Sequence, residues 1–99
     1  MSKSAHDDLY ALLSAKRSEK EVKQLLDDLL SPAEIRNIAQ RWNIMQQVAA
    51  GRSHRAIARS VRTSIAKVSR CARVVYHGNG AIVDSLKKLR KPVKASQSK

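Results

Sequence analysis

Ninety-nine residues allow one domain, and a chain of that length buries only a modest core by itself. Its 42% hydrophobic content is aliphatic, with Tyr10, Trp42 and Tyr76 as its aromatics, which argues against sheets and for helices packed through Leu, Ile, Val and Ala ridges. The formal charge of +12 is uneven: residues 1–34 carry five Lys/Arg and seven Asp/Glu, residues 35–99 carry fifteen and Asp84 alone, so the basic part excludes an acidic-surface role and calls for a polyanionic partner.

Leu9, Leu12 and Leu13 are spaced as one short helix. Ser18 and Glu21 make an S-x-x-E capping box that opens a second, in which Val22, Leu25, Leu26, Leu29 and Leu30 form a single apolar stripe. Ser31-Pro32-Ala33-Glu34 is a stronger start signal, with Ser31 as N-cap and Pro32 where a missing N–H is harmless. The third helix is expected over residues 32–50, with Ile35, Ile38, Ala39, Trp42, Met45, Val48 and Ala49 on one face and Gly51 at its left-handed stop.

Two short helices follow, the first capped by Ser53 and running to about residue 61, the second capped by Thr63 or Ser64 and running to about residue 76. After the HGNG turn at 77–80, a last helix places Ile82, Leu86 and Leu89 on one side and is expected to stop before Lys91-Pro92. Residues 1–91 therefore read as one helical domain, and 92–99 as a disordered basic tail.

Residues 53–70, SHRAIARSVRTSIAKVSR, have helix-turn-helix spacing, with a reading motif at about 53–76. Ala58 supplies the small residue where two helices cross, and Ile57, Val61, Ile65 and Val68 are assigned to the interior. Arg62 stands where glycine commonly relieves a left-handed backbone, which implies mild strain or an altered turn. Seven cations and no acid lie between Arg52 and Arg73. In such a motif the start of the second helix enters the major groove, so Ser64, Ile65, Ala66 and Lys67 are assigned to base edges, with Lys67 matched to guanine and Ile65 or Ala66 to a thymine methyl. Arg55 is placed to reach a guanine or a phosphate, whereas Arg59, Arg62, Arg73 and the amides near Ser53 and Ser64 are assigned to phosphates; His54, Ser69 and Arg70 complete the outward face.

The blocks LLSPAEIRNIAQRWNI, AAGRS, HRAIARSV and SIAKVSR, in that order over about residues 26–89, resemble the Trp repressor family, and HGNG is similar to its Trp-repressor-like branch. The resemblance implies an all-α, six-helix subunit with a helix-turn-helix, whose N-terminal helices interlock with those of a second copy in an intertwined homodimer. It implies two reading heads about 34 Å apart, the spacing general to the class, on palindromic double-stranded DNA. It also implies a ligand site in which an indole lies between two arginines, here Arg41 and Arg70, with Ser31 in place of a pocket threonine. L-Tryptophan is the candidate corepressor and no cofactor is required. Cys71 stands where the family has a glycine beneath the ligand, and Lys67 replaces a threonine-like residue near the pocket mouth.

The implied function is a sequence-specific regulator, a repressor in the family's pattern, rather than an enzyme; the alternatives are a sequence-tolerant architectural DNA coater and, short of stacking aromatics, an RNA binder. His6, His54 and His77 have no partner at metal-ligand spacing, and Cys71 is a lone cysteine that suits packing better than nucleophilic chemistry. No run approaches the ~18 apolar residues of a membrane span, and MSKSAHDDLY lacks signal-peptide character, so a cytoplasmic, nucleoid-associated setting is expected.

Overall fold

The computed structural model describes residues 4–97, and their side chains as far as Leu89. Among the described residues there are six helices and no strand: α1 (Ala5–Ser14), α2 (Glu19–Leu29), α3 (Pro32–Ala49), α4 (His54–Val61), α5 (Ile65–His77) and α6 (Ala81–Gln97). The chain divides into two compact units, residues 1–37 and 38–99.

In the first unit, serines start the helices. Ser4, which the periodicity alone did not single out, accepts from the Asp7 amide at 3.1 Å, and Asp7 and Asp8 complement the positive end of α1. Ser18 accepts from the Glu21 amide as expected, but Glu21 returns its carboxylate to the N–H of Arg17, one residue before the cap. Ser31 and Glu34 close a complete reciprocal box: the Glu34 amide donates to the Ser31 hydroxyl at 3.1 Å, and the Ser31 amide donates to the Glu34 carboxylate at 2.8 Å. No side chain of α1 or α2 is buried, and Leu9, Leu12, Leu13, Val22 and Leu29 remain exposed. Val22, Leu26 and Ile35 line a groove of about 510 Å³ within this unit.

The second unit holds the core. Ile44, Met45 and Val48 of α3, Ile57 and Ala58 of α4, and Val68, Cys71, Ala72 and Val75 of α5 form one buried cluster, against which Trp42, Val61 and Ile82 pack. Leu86 of α6 is buried too, and α5 packs on both α4 and α6. Gly51, at φ +89°, ends α3 in the left-handed conformation expected of it, its amide bonded to the Val48 carbonyl at 3.0 Å.

Three expectations change. The buried face of α3 is centred on Ile44, which the predicted stripe omitted, while Ile38 and Ala39 face solvent; stepping by three and four from Ile35 follows a line that drifts around the helix. Ile65 is 48% exposed and not interior, because it is the first residue of α5 and lies before the turn whose face meets α4. The last helix does not stop at Lys91-Pro92 but continues to Gln97. A proline inside a helix costs about 3 kcal/mol, yet residues 86–91 and 93–97 are mostly residues of good helical preference on both sides of that one missing N–H. Of the segment expected to be a disordered tail, the backbone is helical to Gln97, and residues 98–99 lie outside the described residues.

Arg62 ends α4 at φ 58°, ψ 55°, so the first of the two alternatives for this turn holds: the backbone is left-handed and the residue is not glycine. Both the Arg62 amide and the Thr63 amide donate to the Ala58 carbonyl. A left-handed L-residue costs roughly 1–2 kcal/mol, partly offset in a glycine variant by about 0.5–1 kcal/mol of extra chain entropy. Arg62→Gly is therefore expected to raise stability to urea by roughly 0.5–1 kcal/mol, whereas Arg62→Ala, which removes the same charge and keeps the strain, gives no such gain. Equal stabilities of the two variants at one protein concentration would refute strain at this turn.

Candidate nucleic-acid interface

The two helices of the motif are set by a pair of serine caps. Ser53 accepts from the Ala56 amide at 3.1 Å and Ser64 from the Lys67 amide at 3.0 Å, so of the two residues considered as the second cap, Ser64 takes the role. Each cap satisfies one N–H and leaves others at the helix start to face outward, where the aligned peptide dipoles favour an anion. No acid lies in the first turn of either helix.

Burial of Ile57 and Ala58 turns Arg55, Arg59 and Arg62 to solvent, and burial of Val68, Cys71, Ala72 and Val75 does the same for Ala66, Ser69, Arg70 and Arg73. Ser53, Ser64 and Ile65 are exposed as well, so all the residues assigned to DNA are exposed except His54 and Lys67, which are half-buried. Ser69, Arg70 and Arg73 line a cavity of about 210 Å³ on the outer face of α5. A hydroxyl and two guanidiniums around a hollow of that size offer only donors and a neutral acceptor to an incoming oxyanion.

His54 and Lys67 are engaged within the protein. His54 Nδ1 lies 3.4 Å from the Ser69 hydroxyl, linking the start of α4 to the middle of α5. Lys67 Nζ donates to Gln40 Oε1 on α3, while Gln40 Nε2 donates to the Val61 carbonyl at 3.3 Å. A second glutamine, Gln47, accepts from the Arg52 guanidinium and from the Ser60 hydroxyl, and donates to Asn43 at 3.1 Å. Neither glutamine was singled out from the sequence. The available signal was their seven-residue separation on α3, which puts two groups that can each donate and accept on the same side of the helix that carries Ile44 and Val48.

The positions matched to the family's ligand site divide between the units. Ser31 belongs to the first, where its hydroxyl caps α3. Arg41 and Arg70 are in the second and exposed, and both act electrostatically on Cys71, as does Lys67. Burial raises the Cys71 pKa, and the three cations only partly oppose it. Among the described residues no group of three or more His, Cys, Asp or Glu is placed to hold a metal, and no described helix is long and apolar enough to cross a membrane.

A family model described as Trp repressor protein matches residues 4–90. Searches of curated proteins and of solved structures returned no match.

The raised Cys71 pKa makes a pH test. The folded state holds the thiol proton more tightly than the unfolded chain, so the associated stability is complete below the unfolded value of about 8.5 and is lost as pH rises through the higher folded value. Urea unfolding from pH 7 to 10 should show wild type losing stability relative to Cys71→Ala above about pH 8.5. Parallel profiles for the two proteins would mean that burial does not hold the proton.

Proposed function

The chain belongs to the Trp repressor family, a family of DNA-binding transcription regulators, and we propose from that premise that it is a sequence-specific, dimeric repressor of the cytoplasm and nucleoid. The observation that carries the reading is the start of α5: a serine-capped helix end with exposed Ser64, Ile65 and Ala66, flanked by Arg55, Arg59, Arg62, Arg70 and Arg73 in a segment without a carboxylate. The residues at such an end have the reach to meet base edges, while α4 lies along the backbone.

In this reading Ser64, Ile65, Ala66 and Lys67 face the bases, and the exposure of Ile65 favours its contact with a thymine methyl over the interior role first assigned to it. Arg59, Arg62, Arg73 and the free amides beside Ser53 and Ser64 take phosphates, Arg55 a guanine or a phosphate, and Ser69 with Arg70 and Arg73 a further phosphate in the cavity they share. His54 orients Ser69. The bare leucines of α1 and α2 support a second copy as their cover, giving two heads on a palindromic operator.

Arg41 and Arg70 are the residues for an indole, and L-tryptophan is the proposed corepressor. Their shared influence on Cys71 supports a common neighbourhood, and the Cys71 side chain in place of glycine reduces the room beneath a ring. An architectural, sequence-tolerant coater would use the same charge without base contacts, and the ratio of specific to random-duplex affinity separates the two: specific binders gain about 10³ or more.

Arg59→Ala is expected to weaken binding to all duplexes alike and to flatten the slope of log affinity against log salt by about one unit, as for one lost phosphate contact. An unchanged slope would remove Arg59 from the interface. Titration calorimetry with L-tryptophan is expected to give heat in wild type that is lost in Arg41→Ala; no heat in wild type would leave the regulator without this ligand.

A further inference from the structure

Arg52 stands in the short link from α3 to α4 and is tied twice to one residue of α3. Its amide donates to the Gln47 carbonyl at 3.2 Å, while the amide of Gly51, at φ +89°, donates to the Val48 carbonyl. These are the paired bonds of a Schellman stop, and they fix the Arg52 backbone. Its guanidinium then donates to Oε1 of the same Gln47, and the Ser60 hydroxyl donates to that oxygen at 3.4 Å. Two groups bonded to one atom are neighbours, so the guanidinium lies back along α4 beside Ser60. Gln47 is half-buried and its Nε2 donates to Asn43 at 3.1 Å, which orients the amide. Arg52 and Ser60 are exposed. One guanidinium N–H faces Gln47, and the others are left for an acceptor from outside. The amide that holds the group does not cancel its charge, and no Asp or Glu occurs from residue 35 to residue 83.

We propose that Arg52 is a further phosphate-binding residue of the DNA interface, its guanidinium held beside Ser60 by Gln47, which acts as the positioning residue. The inference rests on the reading of α4 as the helix that lies along the DNA backbone. A planar fork of N–H donors suits two oxygens of one phosphate. An arginine loose in solvent loses rotamer freedom when it meets that phosphate. Arg52, fastened at its backbone and at one guanidinium N–H, loses less, so Gln47 adds to affinity without touching DNA. A phosphate contact carries no base information, so sequence preference is unaffected.

The test measures the affinity of the full chain for two duplexes over a salt series, one duplex selected by wild type from a randomised library and one scrambled. Arg52→Ala is expected to weaken both in equal proportion and to flatten the slope of log affinity against log salt by about one unit on each. An unchanged slope takes Arg52 out of the interface and overturns the proposal. Gln47→Met removes the anchor and leaves every cation in place, so both duplexes are expected to bind roughly tenfold more weakly at an unchanged slope, within what the rotamer entropy of an arginine allows. Combined with Arg52→Ala, Gln47→Met is expected to cost nothing further, because no guanidinium remains to be held. The same tenfold loss in that background marks a structural role and overturns the positioning, as does unaltered affinity of Gln47→Met alone or a changed selected-to-scrambled ratio. Should Gln47→Met fail to fold, Gln47→Glu keeps the acceptor and sets a carboxylate against Arg52; it is expected to flatten the slope by about one unit, and an unchanged slope overturns the proposal. A wild-type protein that binds neither duplex sinks the reading of α4 itself, a result distinct from all of these.

Discussion

The second unit depends on three side chains with no solvent exposure, Ile44, Ile57 and Val68, contributed one each by α3, α4 and α5. Their burial ties the two helices of the motif to the helix that precedes them, and the remaining orientations follow from the helical period. Once Ile57 and Ala58 face inward, Arg55, Arg59 and Arg62 must face outward; once Val68, Cys71, Ala72 and Val75 face inward, Ala66, Ser69, Arg70 and Arg73 cannot. The outward set needs no attraction among its own members. In a core this small, deleting a buried aliphatic costs about 2–5 kcal/mol against a whole-domain stability of about 5–15 kcal/mol, so interior packing and the outward cationic face stand or fall together.

The polar joints around that core contain no carboxylate. Ser53 and Ser64 cap the two helices where aspartate would serve as well, Gln40 and Gln47 tie the motif to α3 where glutamate would reach, and the link from α4 to α5 runs through His54 and Ser69. A carboxylate at any of these places would cancel part of the field that a polyanion senses. The ion pair between Lys23 and Asp27 lies far along the sequence, in the segment where acids outnumber bases. Mutual repulsion among the seven cations from Arg52 to Arg73 is the corresponding cost, and association with phosphates relieves it.

Much of this was legible in the sequence because the signals are local. Serine followed by glutamate three residues on marks a helix start whatever the tertiary context, and the starts at Ser18 and Ser31 lie where that logic puts them, while Ser53, with Ala56 three residues on, caps its helix through its hydroxyl alone. Gly51 marked a left-handed stop, and Arg62 marked a left-handed turn by standing where glycine was wanted. What escaped needed knowledge of neighbours. Ile44 and Ile38 are indistinguishable by hydropathy, and only the packing of α4 and α5 on α3 makes one fully buried and leaves the other half open. Gln40 resembles any surface glutamine until Val61 and Lys67, 21 and 27 residues further along, are brought to it. Pro92 was read as a stop because that is its strongest local preference, and the helix-favouring residues around it prevailed.

The distribution of burial bears on how recognition is coupled to assembly. Every buried hydrophobic side chain among the described residues falls between Ile44 and Leu86, whereas Leu9, Leu12 and Leu13 of α1 and Leu29 of α2 are exposed. Helices of ten and eleven residues are marginal in isolation, since nucleation is costly and their stability comes mainly from an apolar face finding cover. In the proposed dimer that cover is the partner copy, so ordering of residues 1–37 and pairing of the heads become one event whose extent depends on protein concentration. A head built from residues 38–99 has its own core, but a palindrome is read only by two. Dimerisation through a segment that carries no net positive charge then lets the basic segments meet DNA without opposing the association that pairs them.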